Sequence, residues 1–333
     1  MNFDHPTSQN GIDMLMNDSR SLSDLELDTK ASHEGSLCEY GDLIILDSIS
    51  ETKCRIFKMI SIKTQQVYAL KLFDAADENL MLHYLSESRF SEVNHPNIVR
   101  IEDSKKYLDL LALENEMNVR ALVLEYCPNG DFYELVCERG PKLPEVIVRT
   151  YFHQILSAIE YLHAHQIAHL DIKLENILLD ENYQAKLCDF DSARFFDEEI
   201  ELKGTPYYRA PELKEGKCVN PAAADIYSLG IVLFLMISGG IHPHLEEDNL
   251  DDGTNLYSLL NKNQNKFWKK QNEMCESMKN KDPFSEDFKK LFMSMIEPNP
   301  EKRATLQDIK NSEWFNSEVL SSSQMTTIMQ SLF

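Results

Sequence analysis

Along the chain the apolar positions change their period once, and the change divides it in two. From Leu43 they fall in short runs: Leu43-Ile44-Ile45-Leu46, Cys54 to Ile62 and Val67 to Phe73, with the turn-forming Lys63-Thr64-Gln65-Gln66 between the last two. Such runs predict three strands of a small antiparallel sheet. Helical spacing holds from about Glu78 to Val93, and Ala121-Leu122-Val123-Leu124-Glu125-Tyr126 predicts another buried strand. Past Asp131 the period is that of helices, most clearly over Val146 to His165, Asp225 to Ile237 and Phe288 to Ile296. Strands first and helices later predict an α+β fold of two lobes, a small β-rich one and a large, mainly helical one, with a cleft between them.

Residues 1 to 39 show no sustained period and are rich in Ser, Asp and Glu; only Leu22, Leu25 and Leu27 cluster. Too little apolar surface is available there to offset chain entropy, so a disordered acidic head is expected. A two-lobed domain is expected over 40–315 (small lobe 40–126, large lobe 127–315), with a short tail over 316–333. The formal charge of -22 disfavours nucleic-acid backbones and anionic membranes, and leaves a cationic partner or substrate. Seven cysteines, with no C-x-x-C pair, suggest neither a disulfide framework nor a zinc cluster. The start of the chain lacks a signal-peptide core, and no run of about 18 uncharged apolar residues occurs. A cytosolic location is expected, with the nucleus as the alternative. His242-Pro243-His244 and Cys188 are read as structural rather than as metal or redox groups.

The most informative stretch is His169-Leu170-Asp171-Ile172-Lys173-Leu174-Glu175-Asn176-Ile177-Leu178-Leu179, with Asp189-Phe190 downstream. Phosphoryl transfer explains this choice of residues. A carboxylate must orient the attacking hydroxyl and accept its proton, and a lysine must offset charge on the moving group. An amide and a second carboxylate must hold Mg²⁺. Asp171, Lys173, Asn176 and Asp189 supply these groups.

Here the sequence resembles the protein kinase family, whose catalytic loop reads H-R-D-x-K-x-x-N and whose metal-binding loop reads D-F-G. The resemblance covers about residues 42 to 315, and further matches fall in family order. Val67-Tyr68-Ala69-Leu70-Lys71 looks like the strand whose lysine pairs with the α and β phosphates; His95-Pro96-Asn97-Ile98-Val99 follows the first helix. Leu122 to Tyr126 looks like the hinge strand. Gly204-Thr205-Pro206-Tyr207-Tyr208-Arg209-Ala210-Pro211-Glu212 looks like the substrate-binding loop and its anchor, in the form seen in Ser/Thr kinases. Asp225 to Gly230 and Asn299 to Thr305 match lower-lobe helices, with Arg303 as ion-pair partner of Glu212.

The resemblance implies ATP and Mg²⁺ as cofactors and a protein Ser/Thr hydroxyl as acceptor. Adenine would lie between Ala69 and Leu178, bounded by Ile49 and Ile56, with Leu124 as gatekeeper and the main chain of Glu125 and Cys127 as hydrogen-bond partners. Asp131 would meet ribose or, with Glu175, an arginine upstream of the phosphosite. The nearest subgroup in motif style is the calcium/calmodulin-dependent kinase type, although the segment from Asn316 carries no Lys or Arg and offers no evident calmodulin-binding helix.

Departures from the family are equally visible. The three glycine positions of the phosphate loop fall on Ile49, Glu51 and Cys54, which removes close backbone approach and adds a negative charge. Counting back from Pro96 puts the helix glutamate at Ser86; a one-residue slip brings Glu87 to Lys71, and otherwise the pair is absent. Leu170 replaces the arginine that reads a phosphorylated activation loop, so switching by that route is not expected. Asp197-Glu198-Glu199-Ile200-Glu201 reads as a solvated acidic run. Asp191 stands where D-F-G has glycine; Asp tolerates left-handed backbone, and a third carboxylate near the metals would alter Mg²⁺ affinity. These departures favour the alternative of a pseudokinase that binds nucleotide or scaffolds, whereas retention of Lys71, Asp171, Asn176 and Asp189 favours an active Ser/Thr kinase. Transfer to a small-molecule hydroxyl is disfavoured by the peptide-binding loop.

Overall fold

The computed structural model describes residues 39–40, 43–51, 54–102, 119–139, 143–200, 204–214, 220–243, 263–277, 280 and 283–332. Apart from Glu39, the acidic head lies outside these residues, as does His244. The fold is α+β. A five-stranded antiparallel sheet, in the order β1 (Glu39–Tyr40), β2 (Leu43–Glu51), β3 (Arg55–Ser61), β4 (Val67–Asp74), β5 (Val119–Glu125), forms the small lobe. The period of two along β4 sorts its side chains: Tyr68, Leu70 and Leu72 are buried with Met59, Ala121 and Val123, while Ala69 and Lys71 project from the other face.

Strand β2 runs to Glu51, well past the Leu43–Leu46 run that the apolar pattern marked. Asp47, Ser48 and Ser50 have little strand preference of their own; pairing with β3, down to Glu51 opposite Arg55, satisfies their backbone, with bulges after Ile45 and Ser48. Helix α1 (Glu78–Ser88) starts on Asp77, whose Oδ1 accepts the N–H of Asn79 at 2.8 Å and of Leu80 at 3.2 Å. It ends before the expected Val93, because Phe90 turns inward to a 2% exposed position against Phe190.

The large lobe is built on α2 (Glu145–Ala164), which buries Val148, Tyr151, Phe152, Ile155, Ile159 and Leu162. Each such side chain contributes roughly 1.5–3 kcal/mol of transfer free energy. Two short two-stranded antiparallel sheets follow α2: β6 (Ile167–Ala168) pairs with β9 (Arg194–Phe195), and between them in the chain β7 (Ile177–Leu179) pairs with β8 (Ala185–Leu187). The short α3 (Pro211–Lys214) precedes α4 (Pro221–Ser238), which is capped by Asn220 and stopped by Gly239 in the left-handed conformation (φ 76°). Helix α4 is long and apolar enough to cross a membrane by length and composition, although Asp225 interrupts it as an uncharged run. It is buried along nearly all its length as the core helix of this lobe.

Helices α5 (Gln264–Ser277) and α6 (Glu286–Met295) pack aromatic rings against Phe234 of α4, and α7 (Leu306–Asn311) buries Ile309 in the same core. The segment read as a tail carries α8 (Ser322–Leu332), whose Met325 and Met329 are fully buried in the same core.

Candidate active site

Residues 169–176 link β6 to β7 with little regular structure, so their backbone needs partners from elsewhere. Asp225, fully buried on α4, supplies them: its carboxylate accepts the N–H of His169 at 2.9 Å and of Leu170 at 2.8 Å, with His163 Nε2 also 2.8 Å away. These bonds hold Leu170 at φ 61°, a conformation that residues with a Cβ rarely adopt. The Leu170 side chain is 3% exposed in the core, so no cation projects from this position toward the activation loop.

Beside it, Asp171 is held on all sides. Oδ1 accepts from Thr205 N and Thr205 Oγ1, both at 2.8 Å; Oδ2 lies 2.9 Å from Lys173 Nζ and accepts from Asn176 Nδ2 at 3.1 Å. Lys173 Nζ also donates to Thr205 Oγ1 at 3.1 Å. Burial works against the Asp171 charge, but the hydrogen bond and charge of Lys173, with the Thr205 bond, hold its carboxyl below the usual range. Such a carboxylate is a weak base at neutral pH and a good orienting group.

Thr205 is a site residue that the sequence reading ranked only as part of a loop motif. Its approach requires Gly204 (φ 84°), since a Cβ there would sit 2.4 Å from the Leu170 carbonyl oxygen.

The second cluster lies across the cleft. Lys71 Nζ is 2.6 Å from Glu87 Oε2 and 3.0 Å from Asp189 Oδ1. Glu87 is 2% exposed, and it is Glu87, not Ser86, that faces the lysine. Burial would lower the Lys71 pKa, but the two carboxylates outweigh it and keep the ammonium charged. Asp189 is in turn held below the ordinary carboxylate range, burial opposing and Lys71 prevailing. It takes the left-handed backbone itself (φ 64°). Asp191 falls instead inside the 3₁₀ turn Phe190–Ser192, so the tolerance expected of it is not called upon. The Asp191 carboxylate accepts from His83 Nδ1 on α1. Phe190 is buried between His169 (5.2 Å between centroids) and Phe90 (5.6 Å). The acidic run is not wholly solvated: Glu198 pairs with Arg89 at the end of α1.

The remaining expected site residues line the sheet and its junction with the large lobe. Ile56 and Ala69 are half-buried on β3 and β4, and Leu178 is half-buried on β7, bridged to Asp131. Ile49 is 49% exposed. Cys54 turns inward, packing with Phe73, Ile101 and Leu122. Glu125 N–H donates to the Arg100 carbonyl at 2.9 Å, so its own carbonyl is the group an adenine amine would meet. Burial pushes the neighbouring Cys127 thiol up to about 12. Asp131 Oδ1 accepts the Glu134 N–H at 2.8 Å as a cap. Glu175 is exposed, 3.4 Å from the Tyr208 hydroxyl.

Below the substrate loop, Arg303 donates to both oxygens of Glu212 at 2.6 and 2.9 Å. His242 packs its ring against Tyr207 and Tyr208 at 5.3 and 6.2 Å, and burial pushes its imidazole down to about 4. The unfolded chain, with an ordinary value near 6.5, therefore binds more protons between those limits. The stability that neutral His242 contributes is full above pH 6.5 and lost as pH falls toward 4, at up to about 1.4 kcal/mol per pH unit. Denaturant melts between pH 7 and 4 should show this decline, and His242→Gln should flatten it; an identical slope in the variant would contradict the assignment.

The protein kinase domain profile matches residues 52–315. CBL-interacting protein kinase 15 of Oryza sativa subsp. japonica is 30% identical over 261 residues, which is 77% of this chain and 55% of that protein. Serine/threonine-protein kinase SIK2 of Gallus gallus is 32% identical over 261 residues, 77% of this chain and 29% of that protein. CBL-interacting serine/threonine-protein kinase 8 of Arabidopsis thaliana is 32% identical over 227 residues, 67% of this chain and 45% of that protein. The chain thus spans about half or less of the length of these relatives.

Proposed function

The chain belongs to the protein kinase family, and we propose that it transfers the γ-phosphoryl group of ATP to serine or threonine hydroxyls of protein substrates. The observation that carries this reading is the assembled bridge of Lys71 between Glu87 and Asp189, which a chain that only scaffolds would not need. Lys71 neutralises charge on the α and β phosphates, and Glu87 fixes its position. Asp171 orients the acceptor hydroxyl and takes its proton as the bond to phosphorus forms, while Lys173 offsets charge on the moving group.

Asn176 and Asp189 are the residues that would hold Mg²⁺. They fit a hard cation: Asn176 Nδ2 is committed to Asp171 at 2.8 and 3.1 Å, which leaves the amide oxygen as the atom to meet a cation, and Asp189 is kept ionised. The bound ion would neutralise phosphate charge. The Asp191 carboxylate is engaged by His83 rather than added to this oxygen set.

Finer features extend the proposal. The Gly204-Thr205-Pro206 loop and the serine/threonine-kinase names of two of the relatives support Ser/Thr over Tyr as acceptor. Asp131, Glu175 and the charge of -22 support basic residues upstream of the phosphosite. With Leu170 buried, activity does not depend on a phosphorylated activation loop.

Transfer of labelled γ-phosphate from Mg²⁺-ATP to matched peptides bearing Ser, Thr or Tyr, with and without an upstream arginine, tests this. Label on the Ser and Thr peptides, greatest with arginine, is expected. Nucleotide binding without transfer to any peptide would make the chain a binding module instead.

A further inference from the structure

We propose that His83 is a positioning residue for phosphoryl transfer, acting through Asp191 to hold α1 where Glu87 meets Lys71; this rests on the kinase reading above. Three residues, His83, Glu87 and Phe90, follow one another at helical spacing on one side of α1 and just past its end. Each meets the start of the activation loop or its partner. His83 reaches the Asp191 carboxylate, Glu87 reaches the ammonium that also holds Asp189, and Phe90 lies 5.6 Å from the Phe190 ring. Three consecutive loop residues are thereby tied, directly or through Lys71, to one helix face.

The chemistry of the rung is one-directional. An ionised carboxylate only accepts, so the proton sits on His83 Nδ1 and the imidazole donates in either charge state. The side chains are 26% and 17% exposed, which shields the contact more than a surface pair. Arg89 repeats the polarity one turn and a half later, pairing with Glu198 while its guanidinium lies 5.0 Å from the Phe195 ring. In these two pairs the donors stand on α1 and its C-cap and the carboxylates on the loop.

His83 bonds Asp191 rather than the Asp171, Lys173 and Asn176 cluster, so its effect is on geometry. One helical turn separates it from Glu87, and one residue, Phe190, separates Asp191 from Asp189. The two rungs therefore close a small frame in which neither Glu87 nor Asp189 can shift without breaking a second contact. Without the His83 rung, α1 would keep its ties to this loop at Glu87, Phe90 and Arg89 but lose the described contact nearest its start. A glycine at position 191 has no side chain with which to make this contact.

The test is a double-mutant cycle in the full chain with His83→Ala, Asp191→Ala and both together, plus His83→Asn, which keeps a donor at similar reach. Readouts are kcat and KM for ATP and for peptide, and amide exchange across residues 78–88. Each alanine variant should lower kcat/KM for ATP roughly tenfold, leave the peptide KM unchanged and speed exchange in α1. The double variant should be no worse than either single, and His83→Asn should recover most of the loss. Losses that multiply in the double variant, or singles with natural kcat/KM and natural α1 exchange, would overturn the proposal. Should the natural protein transfer no phosphate, the kinase reading falls by that result alone; α1 exchange then decides the rung, unchanged exchange in His83→Ala refuting it.

Discussion

Asp171→Asn should lower kcat for γ-phosphate transfer by about 100- to 10,000-fold while leaving nucleotide affinity close to that of the natural protein. The substitution is nearly isosteric. An amide oxygen can still accept from Thr205 N, now at 2.8 Å, so the loop around Gly204 should keep its course. What disappears is the negative charge that pairs with Lys173 at 2.9 Å and the site that receives the hydroxyl proton. Because the natural carboxyl is held below its usual range, the ground-state hydroxyl is oriented more than it is deprotonated. Most of the loss should therefore fall on kcat rather than on either KM. Steady-state transfer together with a nucleotide titration separates the two. Transfer at the natural rate in the variant would remove Asp171 from the mechanism.

The second large effect concerns stability. Arg303 has a fully buried guanidinium, bonded to both Glu212 oxygens and, at 2.7 and 2.8 Å, to the carbonyls of Ala223 and Glu297. Arg303→Met should destabilise the protein by about 3–5 kcal/mol, because the Glu212 charge stays buried without its cation. The loss is a desolvation cost, not the strength of the pair. Arg303→Met combined with Glu212→Met should accordingly lose less than Arg303→Met alone, although it removes more polar contacts. Denaturant melts of the two variants decide the matter; a double variant less stable than the single would mean that the pair contributes net stability of its own. Since Glu212 anchors the end of the substrate loop on α3, the single variant should also raise the peptide KM.

Much of the geometry of the candidate site could be read directly from the sequence. Asp171, Lys173 and Asn176 lie within six residues of one another, and their contacts with each other, including Asn176 Nδ2 to the Asp171 carbonyl at 2.8 Å, close within that span, whereas their bonds to Thr205 do not. Spacing along a short loop nearly determines such geometry. The same holds for the alternation along β4, which places Ala69 and Lys71 on one face, and for the helical stripe of α2. Local periodicity was also sufficient to sort strands before helices, and hence to give an α+β fold of two lobes.

Where partners lie far apart in the chain, the sequence set out the candidates without choosing between them. Ser86 and Glu87 are adjacent, and counting from Pro96 cannot discriminate between them. The choice is made where Phe90 buries itself against Phe190, which rotates α1 so that Glu87 and His83 face Lys71 and Asp191. The glycine-free β2 was judged by what its residues lack; pairing with β3 decided its length. In sequence Asp191 offers a tolerant backbone and a carboxylate near the metal residues; in the fold it is the acceptor for a histidine 108 residues before it. What the sequence alone determined is what neighbours in the chain impose: period, turn chemistry and the spacing of the catalytic loop. Tertiary structure alone decided which face of α1 meets the loop, because that depends on burying apolar surface contributed by distant segments, whose free energy no local pattern contains.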